Sequence, residues 1–273
     1  MLSFDDALDQ LLAAAKPIGE IEQIATENAL GRVLAQPLVS SIDLPPLDNS
    51  AMDGYALRAA DITQAGVRLP VSQRIAAGTI PSALAPGTAA RIFTGAPVPP
   101  GANAVVMQED CTAEGEHVAI NLGSVREGQH IRRAGEDIRR DAQILGTGTR
   151  LRPQELGLAA SIGCASVPVF RRLRVATFYT GSELATPGEA LKPGQIYNSN
   201  RYTLAGMLAA LGCEVIDWGI VRDELTATKE ALVKAANDVD LILTSGGVSV
   251  GEEDHVVRPA VVRKFGSAGA RHL

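Results

Sequence analysis

Apolar residues recur at helical spacing from the start of the chain. Phe4, Leu8, Leu11, Leu12 and Ala15 fall at three- and four-residue intervals ahead of Pro17, and Ser3 with Asp6 has the form of a capping box. The pattern predicts an amphipathic opening helix. A shorter helical signal runs from Thr26 to Leu30 and stops at Gly31, after which Val33 to Leu38 reads as extended. From Ser40 to about Asp141 the period drops. Short β-branched runs such as Ala104–Met107 and His117–Ile120 alternate with Gly, Pro and Asn/Asp punctuation, the texture of a mostly-β domain.

Beyond Arg172 strands and helices alternate. Leu173–Tyr179 is an apolar strand, and Leu204, Met207, Leu208 and Leu211 form a helical stripe that ends at Gly212. Glu214–Ile220 is a second strand, Leu225–Ala236 a second helix, and Val239–Thr244 a third strand running into Ser245-Gly246-Gly247. This order predicts a parallel sheet with right-handed crossovers, whose ligands sit at the carboxyl ends of the strands. The predicted class is α/β plus β: a helical and linker segment at 1–39, an inserted mostly-β domain at 40–141, a linker at 142–171, and an incomplete doubly wound parallel-sheet domain at 172–273.

Composition narrows the function classes. With 273 residues, 46% of them hydrophobic and 21% charged, the chain can bury two ordinary cores and is not a disordered sequence. Its net charge of −6 argues against a nucleic-acid partner, since phosphate backbones are held by clustered Lys and Arg. No apolar run approaches the roughly 20 residues that span a bilayer, and the first residues lack the basic and apolar parts of a signal peptide. A cytoplasmic protein with no membrane partner is expected. Cys111, Cys164 and Cys213 are widely spaced and read as small buried hydrophobes rather than a disulfide or zinc framework. His117, His130, His255 and His272 show no metal-ligand spacing.

All three predicted strand ends of the parallel sheet carry polar groups. The first ends in Thr180-Gly181-Ser182-Glu183, the second in Arg222-Asp223-Glu224, and the third in the Gly-rich loop followed by Glu252, Glu253 and Asp254. Gly246 and Gly247 would let backbone N–H groups converge on an anion. Carboxylates beside a phosphate repel it unless a divalent cation lies between, so the arrangement suggests Mg²⁺ bridging acids and a phosphate ester. Taken singly, the Gly-Gly loop reads sooner as a plain tight turn, and Glu183 and Asp223 as helix-capping or solvated loop acids; their coincidence at one sheet edge is what raises a phosphate-and-metal site to an equal alternative. In the β domain, Asp53 follows Asn49, Ser50 and Met52 in what reads also as a turn rich in Asx-type bonds. Arg132-Arg133 offers cationic charge to a phosphate or oxyanion, or an internal ion pair with Glu136-Asp137.

The string Asp48-Asn49-Ser50-Ala51-Met52-Asp53-Gly54-Tyr55-Ala56 resembles the signature loop of the MoeA family of molybdopterin molybdenumtransferases, which includes the gephyrin E domain. Four further segments resemble the same family in the same order: Thr94–Pro99, Arg132–Asp137, Thr180–Leu184 and Ser245–Gly251. The likeness extends over about residues 1 to 255. It implies a transferase that takes adenylated molybdopterin and molybdate, cleaves the pyrophosphate bond with Mg²⁺, and releases molybdenum cofactor and AMP. Family positions carry the catalytic roles to Asp53, Thr94, Asp137, Glu183, Asp223 and Asp254, substrate contacts to Arg132, Ser245, Gly246, Gly247 and Ser249, and the metal to Glu183, Asp223 and Asp254. It also implies a homodimer in which Asp53 and Thr94 act in trans with Glu183, Asp223 and Asp254.

The family pattern continues into a Lys-Pro-Gly-Lys-Pro loop, a Pro-Gly-Asn-Pro segment and a C-terminal β-barrel, none of which follows here. Lys192-Pro193-Gly194 is an echo in the wrong place, and Val256–Leu273 reads as a truncated end. Without those lysines, and with an apolar sheet edge uncovered, the chain is expected to be weak or inactive as an enzyme. A scaffold role, as in gephyrin, lacks any extra interaction segment. The related adenylyltransferase consists of the α/β domain alone, and the inserted β domain with Asp53 argues against it.

Overall fold

The computed structural model describes residues 3–15, 17–222, 224–236 and 239–246. In chain order its elements are α1 (Phe4–Ala14), β1 (Ile21–Ala25), β2 (Leu38–Val39), β3 (Asn49–Ser50), β4 (Gly54–Leu57), β5 (Val67–Ile75), β6 (Ala89–Ile92) and β7 (Ala104–Met107). There follow β8 (Cys111–Glu114), β9 (His117–Ile120), β10 (Ile131–Arg132), β11 (Gln143–Leu145), α2 (Pro153–Ser161) and β12 (Ser166–Phe170). The last are β13 (Arg174–Thr180), β14 (Leu184–Ala185), β15 (Ile196–Tyr197), α3 (Ser199–Ala210), β16 (Glu214–Val221), α4 (Leu225–Ala235) and β17 (Leu241–Ser245). Two compact units emerge. One takes the chain up to Ile24, Ala29–Ala35 and from Pro168 onward; the other takes Ala25–Asn28 and Gln36–Val167.

The second unit is built on a curled mixed sheet in the order β7-β4-β6-β5-β9-β8. Only β5 and β6 run parallel; the other pairs are antiparallel. Because side chains alternate across a strand, the two faces carry separate cores. Tyr55, Leu57, Leu69, Val106, Val118 and Ile120 pack on one face, and Ala56, Ile75, Ala90, Ile92 and Val105 on the other. The same unit holds the two-stranded pairs β3/β10 and β2/β11. The stretch 142–171, read as linker, holds β11, α2 and β12. Helix α2 starts at Pro153, and Glu155 accepts from the Arg152 backbone N–H at 2.9 Å, supplying the reaching-back half of a capping box.

In the first unit β13 lies between β16 and β17, parallel to both. The chain leaves β13 through α3 to one neighbour and returns past it through α4 to the other, so the strand order reverses at β13, as in a doubly wound sheet. Phe178 and Leu232 bury together against Trp218, Val221 and Ile242.

Several local expectations change. Thr26–Leu30 yields only a 3₁₀ turn over Thr26–Asn28, because the Thr26 N–H and hydroxyl are both drawn to the carbonyls of Ala165 and Cys164, at 2.9 and 2.6 Å. The third strand begins at Leu241 rather than Val239: Asp240 is held at its entrance by both terminal nitrogens of Arg171 and the Arg174 N–H. The opening helix forms with its Ser3 cap, yet its apolar stripe is not covered, Phe4 being 80% and Leu12 64% exposed. Of the α3 stripe only Leu208 is buried. The three cysteines are free and half-buried rather than buried.

Candidate functional site

The Asp53 loop of the β unit is shaped by hydroxyl bonds more than by Asx bonds. Ser50 Oγ donates to the Met52 carbonyl at 2.5 Å and accepts from the Met52 N–H at 3.3 Å, a local serine turn. The backbone of Ser50 and Ala51 is tied to Gly95, Ala96 and His130. This brings Asp53 against Thr94, whose N–H and hydroxyl both donate to Asp53 Oδ1 at 2.8 Å. Those two bonds, the backbone one first, hold the Asp53 carboxyl below its usual range, with a lesser contribution from Arg91. Two residues that the sequence placed in separate motifs, 41 positions apart, are thus one unit.

Nearby, Arg132 on β10 lies opposite Asn49 of β3. Its Nη2 donates to both Asp137 oxygens at 2.6 Å and its Nε approaches Glu136 at 3.4 Å. Of the two alternatives for the Arg132 charge, the structure displays the internal ion pair, and Asp137 first, then Glu136, strengthens the guanidinium's hold on its proton. Arg133 and the Ala134 N–H are both spent on Asp48, at 2.6 and 2.8 Å. Desolvation pulls the Asp48 carboxyl upward, but those two donors outweigh it and lower it.

In the α/β unit the carboxyl ends of β13 and β17 adjoin where the strand order reverses, the place at which such sheets bind ligands. Gly246, at φ +103°, passes so close to Thr180 that a Cβ would run into the Thr180 carbonyl oxygen and stand 2.8 Å from its Oγ1. Only glycine satisfies both conditions. The Glu183 oxygens lie 2.6 and 2.7 Å from the place a Cβ on Gly181 would take, so the carboxylate folds back over the strand end. Thr180 is buried, and its hydroxyl has no partner among the described residues. Asp223, Gly247, Ser249 and Asp254 lie outside the described residues.

The fold adds residues that strand-end reasoning missed. Asn198 caps α3, accepting from the Arg201 N–H at 3.2 Å, and its Nδ2 is buried with no partner among the described residues. Asn200 Nδ2 donates to Ser245 Oγ at 2.8 Å, which sets the start of α3 beside the end of β17. Arg201 Nε reaches Asp217 on β16 at 2.6 Å, and that bond raises its pKa. The signal was available: Asn198-Ser199-Asn200 ahead of an apolar stripe is an N-cap sequence. The donor end of a helix, an unpartnered amide and a glycine loop together suit an anion.

Comparison with known proteins covers nearly the whole chain. Residues 2–163 match the MoeA N-terminal region, domains I and II. The chain belongs to the MoeA family. Residues 176–271 match the probable molybdopterin binding domain. A molybdopterin molybdenumtransferase of Haemophilus influenzae is 38% identical over 97% of this chain and 65% of its own length. Molybdopterin molybdenumtransferase 2 of Mycobacterium tuberculosis is 43% identical over 96% of this chain and 64% of its own length. The crystal structure of a molybdopterin biosynthesis MoeA protein from Pyrococcus horikoshii superposes with a TM-score of 0.85 at 36% identity, covering 90% of this chain and 66% of that one. The chain therefore spans about two thirds of the length of these MoeA relatives. The MoeA likeness bears out the combination of β unit and doubly wound sheet expected from the motifs. No helix among the described residues is long and apolar enough to cross a membrane.

Proposed function

We propose that this MoeA chain catalyses molybdate insertion in molybdenum cofactor biosynthesis, acting on adenylated molybdopterin and molybdate and releasing AMP. The observation that carries the reading is the polar edge where β13 and β17 meet, lying inside the stretch that matches the molybdopterin binding domain. Ser245, Gly246, Gly247 and Ser249 receive the phosphate end of the substrate, with Asn198 and Asn200 at the α3 terminus joining them through the Asn200–Ser245 bond. Asp53, made a firm anion by Thr94, serves with Thr94 and Asp137 at the reacting end, and Arg132 faces the oxyanion by exchanging its internal partner for substrate.

Mg²⁺ is the proposed metal, held by Glu183, Asp223 and Asp254. The donor chemistry fits: Glu183 and the Thr180 hydroxyl, which has no partner among the described residues, are hard oxygen donors at one strand end. Among the described residues no group of three or more His, Cys, Asp or Glu converges, so Glu183 is the described member of the set. When bound, the cation would neutralise charge developing on the pyrophosphate oxygens.

A cytoplasmic homodimer completes the reading. The exposed stripe of Phe4, Leu8, Leu11 and Leu12 on α1 supports a second copy, since an uncovered apolar helix face seeks a partner; sedimentation velocity measures it. The functional division follows the segments 1–39, 40–141, 142–171 and 172–273. The deciding experiment is AMP release from adenylated molybdopterin with molybdate and Mg²⁺. Asp53→Asn and Glu183→Gln should each lower the rate about 100-fold or more. Absence of AMP release by the unaltered chain, or full rates in both variants, would reject the reading.

A further inference from the structure

The face of the β sheet that bears Asp53 also bears two arginines that the transfer reading does not use. Arg91 on β6 is the cross-strand partner of Tyr55 on β4 and of Arg74 on β5, so Tyr55, Arg91 and Arg74 form a row across three strands. Phe93, two residues beyond Arg91 and on the same face, is stacked by both: the guanidinium carbons of Arg74 and Arg91 lie 4.4 and 4.7 Å from its ring centre. The Arg91 carbon is also 5.2 Å from the Tyr55 ring. Arg91 Nη1 donates to the Gly54 carbonyl at 3.1 Å and Nη2 to Gln108 Oε1 at 2.6 Å. Both acceptors are neutral. Arg74 is exposed, and neither arginine forms an ion pair among the described residues.

Like charges placed directly opposite in a sheet repel. Arg68, Arg132, Arg133 and Arg152 of this unit each have a carboxylate at ion-pair distance; Arg74 and Arg91 have none at that distance among the described residues, although the charge of Arg91 reaches the Asp53 carboxyl. Stacking on the ring holds the guanidinium planes in place and lowers the ordering cost of engaging a ligand. A fixed, like-charged pair, with the Arg74 N–H groups unspent among the described residues and Arg91 giving two of its five to neutral acceptors, is what a multivalent oxyanion satisfies, because guanidinium donors match its oxygens two at a time. We propose that Arg74 and Arg91, braced on Phe93, form a subsite for a multivalent oxyanion beside the Asp53–Thr94 pair. The ligand class is a di- or monophosphate, either free or esterified to a small molecule. This goes beyond the transfer reading, and its test needs no turnover, so either can fail without the other.

The test is calorimetric titration of the full chain with inorganic pyrophosphate and, separately, with AMP. The Arg74 side chain makes no hydrogen bond among the described residues, so Arg74→Gln removes charge without unpicking the sheet. It should weaken binding about tenfold, while Arg74→Lys keeps the charge and most of the affinity. Arg68→Gln, the same charge change farther along β5, is the control and should shift affinity by less than about twofold. A dependence on Arg74 for both probes assigns the site to esters as well as free anions; dependence for pyrophosphate alone assigns it to the free anion. Equal weakening by Arg68→Gln and Arg74→Gln, or no effect of Arg74→Gln on either probe, overturns the proposal.

Discussion

Replacing Gly54 by alanine sets a methyl group against the backbone of the neighbouring strand. The added Cβ would collide with the Val106 carbonyl oxygen and lie 2.9 Å from the Val106 carbonyl carbon and 3.1 Å from Met107 Cα. No side chain can swing aside, because every contact is backbone. Relief requires β4 and β7 to part at the pairs Gly54–Met107 and Tyr55–Val106, forfeiting about two ladder hydrogen bonds at about 1 kcal/mol each. Overpacking adds about 1 to 3 kcal/mol, for a total of about 3 to 5 kcal/mol. That is about a fifth or more of the roughly 5 to 15 kcal/mol by which an ordinary domain is stable. With a urea dependence of about 2 kcal/mol per molar, the midpoint should fall by about 2 M. The tryptophan, Trp218, lies in the other unit, so far-UV circular dichroism or hydrogen exchange of the β unit is the proper readout. Gly157→Ala is the counter-test in the same unit. Gly157 lies within α2 and a Cβ there meets open space, so this change should stabilise by about 0.5 to 1 kcal/mol. A Gly54→Ala midpoint within about 0.3 M of the parent would refute the close approach of β4 and β7 and, with it, the argument for glycine after Asp53.

Three further outcomes follow from the same geometry. Thr94→Val keeps the side-chain shape but removes one of the two donors to Asp53, so the Asp53 carboxyl should titrate at higher pH than in the parent; an unmoved carbon-13 titration of that carboxyl would contradict the hydrogen bonds described. Glu155, lowered from 4.5 to about 2 first by the Arg152 side chain, contributes stability that is complete above pH 4.5 and lost as pH falls towards 2. The stability difference between the parent and Glu155→Gln should therefore be largest above pH 4.5 and vanish near pH 2; a constant difference across that window would deny the linkage. Phe178→Ala empties a site that is 1% exposed and should cost the α/β unit about 3 to 5 kcal/mol, read by fluorescence of Trp218, which packs against the Phe178–Leu232 pair; a loss under about 1 kcal/mol would mean that the core closes over the gap.

Strand identity was most legible where composition and period agree. Ala104–Met107 and His117–Ile120 form strands with the bounds read from the sequence, because β-branched residues bounded by turn formers leave few other ways to bury their side chains. Boundaries set by distant partners were not legible. Asp240 caps the third strand's entrance through Arg171 and Arg174, 69 and 66 residues away, and no local pattern encodes such an ion pair. Of the candidate residues, Asp53 and Thr94 in the β unit and Glu183 with the Ser245-Gly246 turn in the α/β unit were singled out through motifs and strand ends, whereas Asn198 and Asn200 were passed over because their N-cap signal points to a helix before it points to a ligand.

By itself the sequence determined the alternation of β and α/β stretches, the family signature around Asp53, and the strand ends of the parallel sheet, since all three are local in the chain. Tertiary structure decided which residues act together: Thr94 with Asp53 across 41 positions, Asn200 with Ser245 across 45, and Arg74 with Arg91 on Phe93. Those pairings depend on how the elements come together, and a one-residue slip in register would send strand side chains such as Arg74 and Arg91 to the opposite face. Periodicity fixes which residues share a face, but only the assembled sheet fixes which neighbour each one meets.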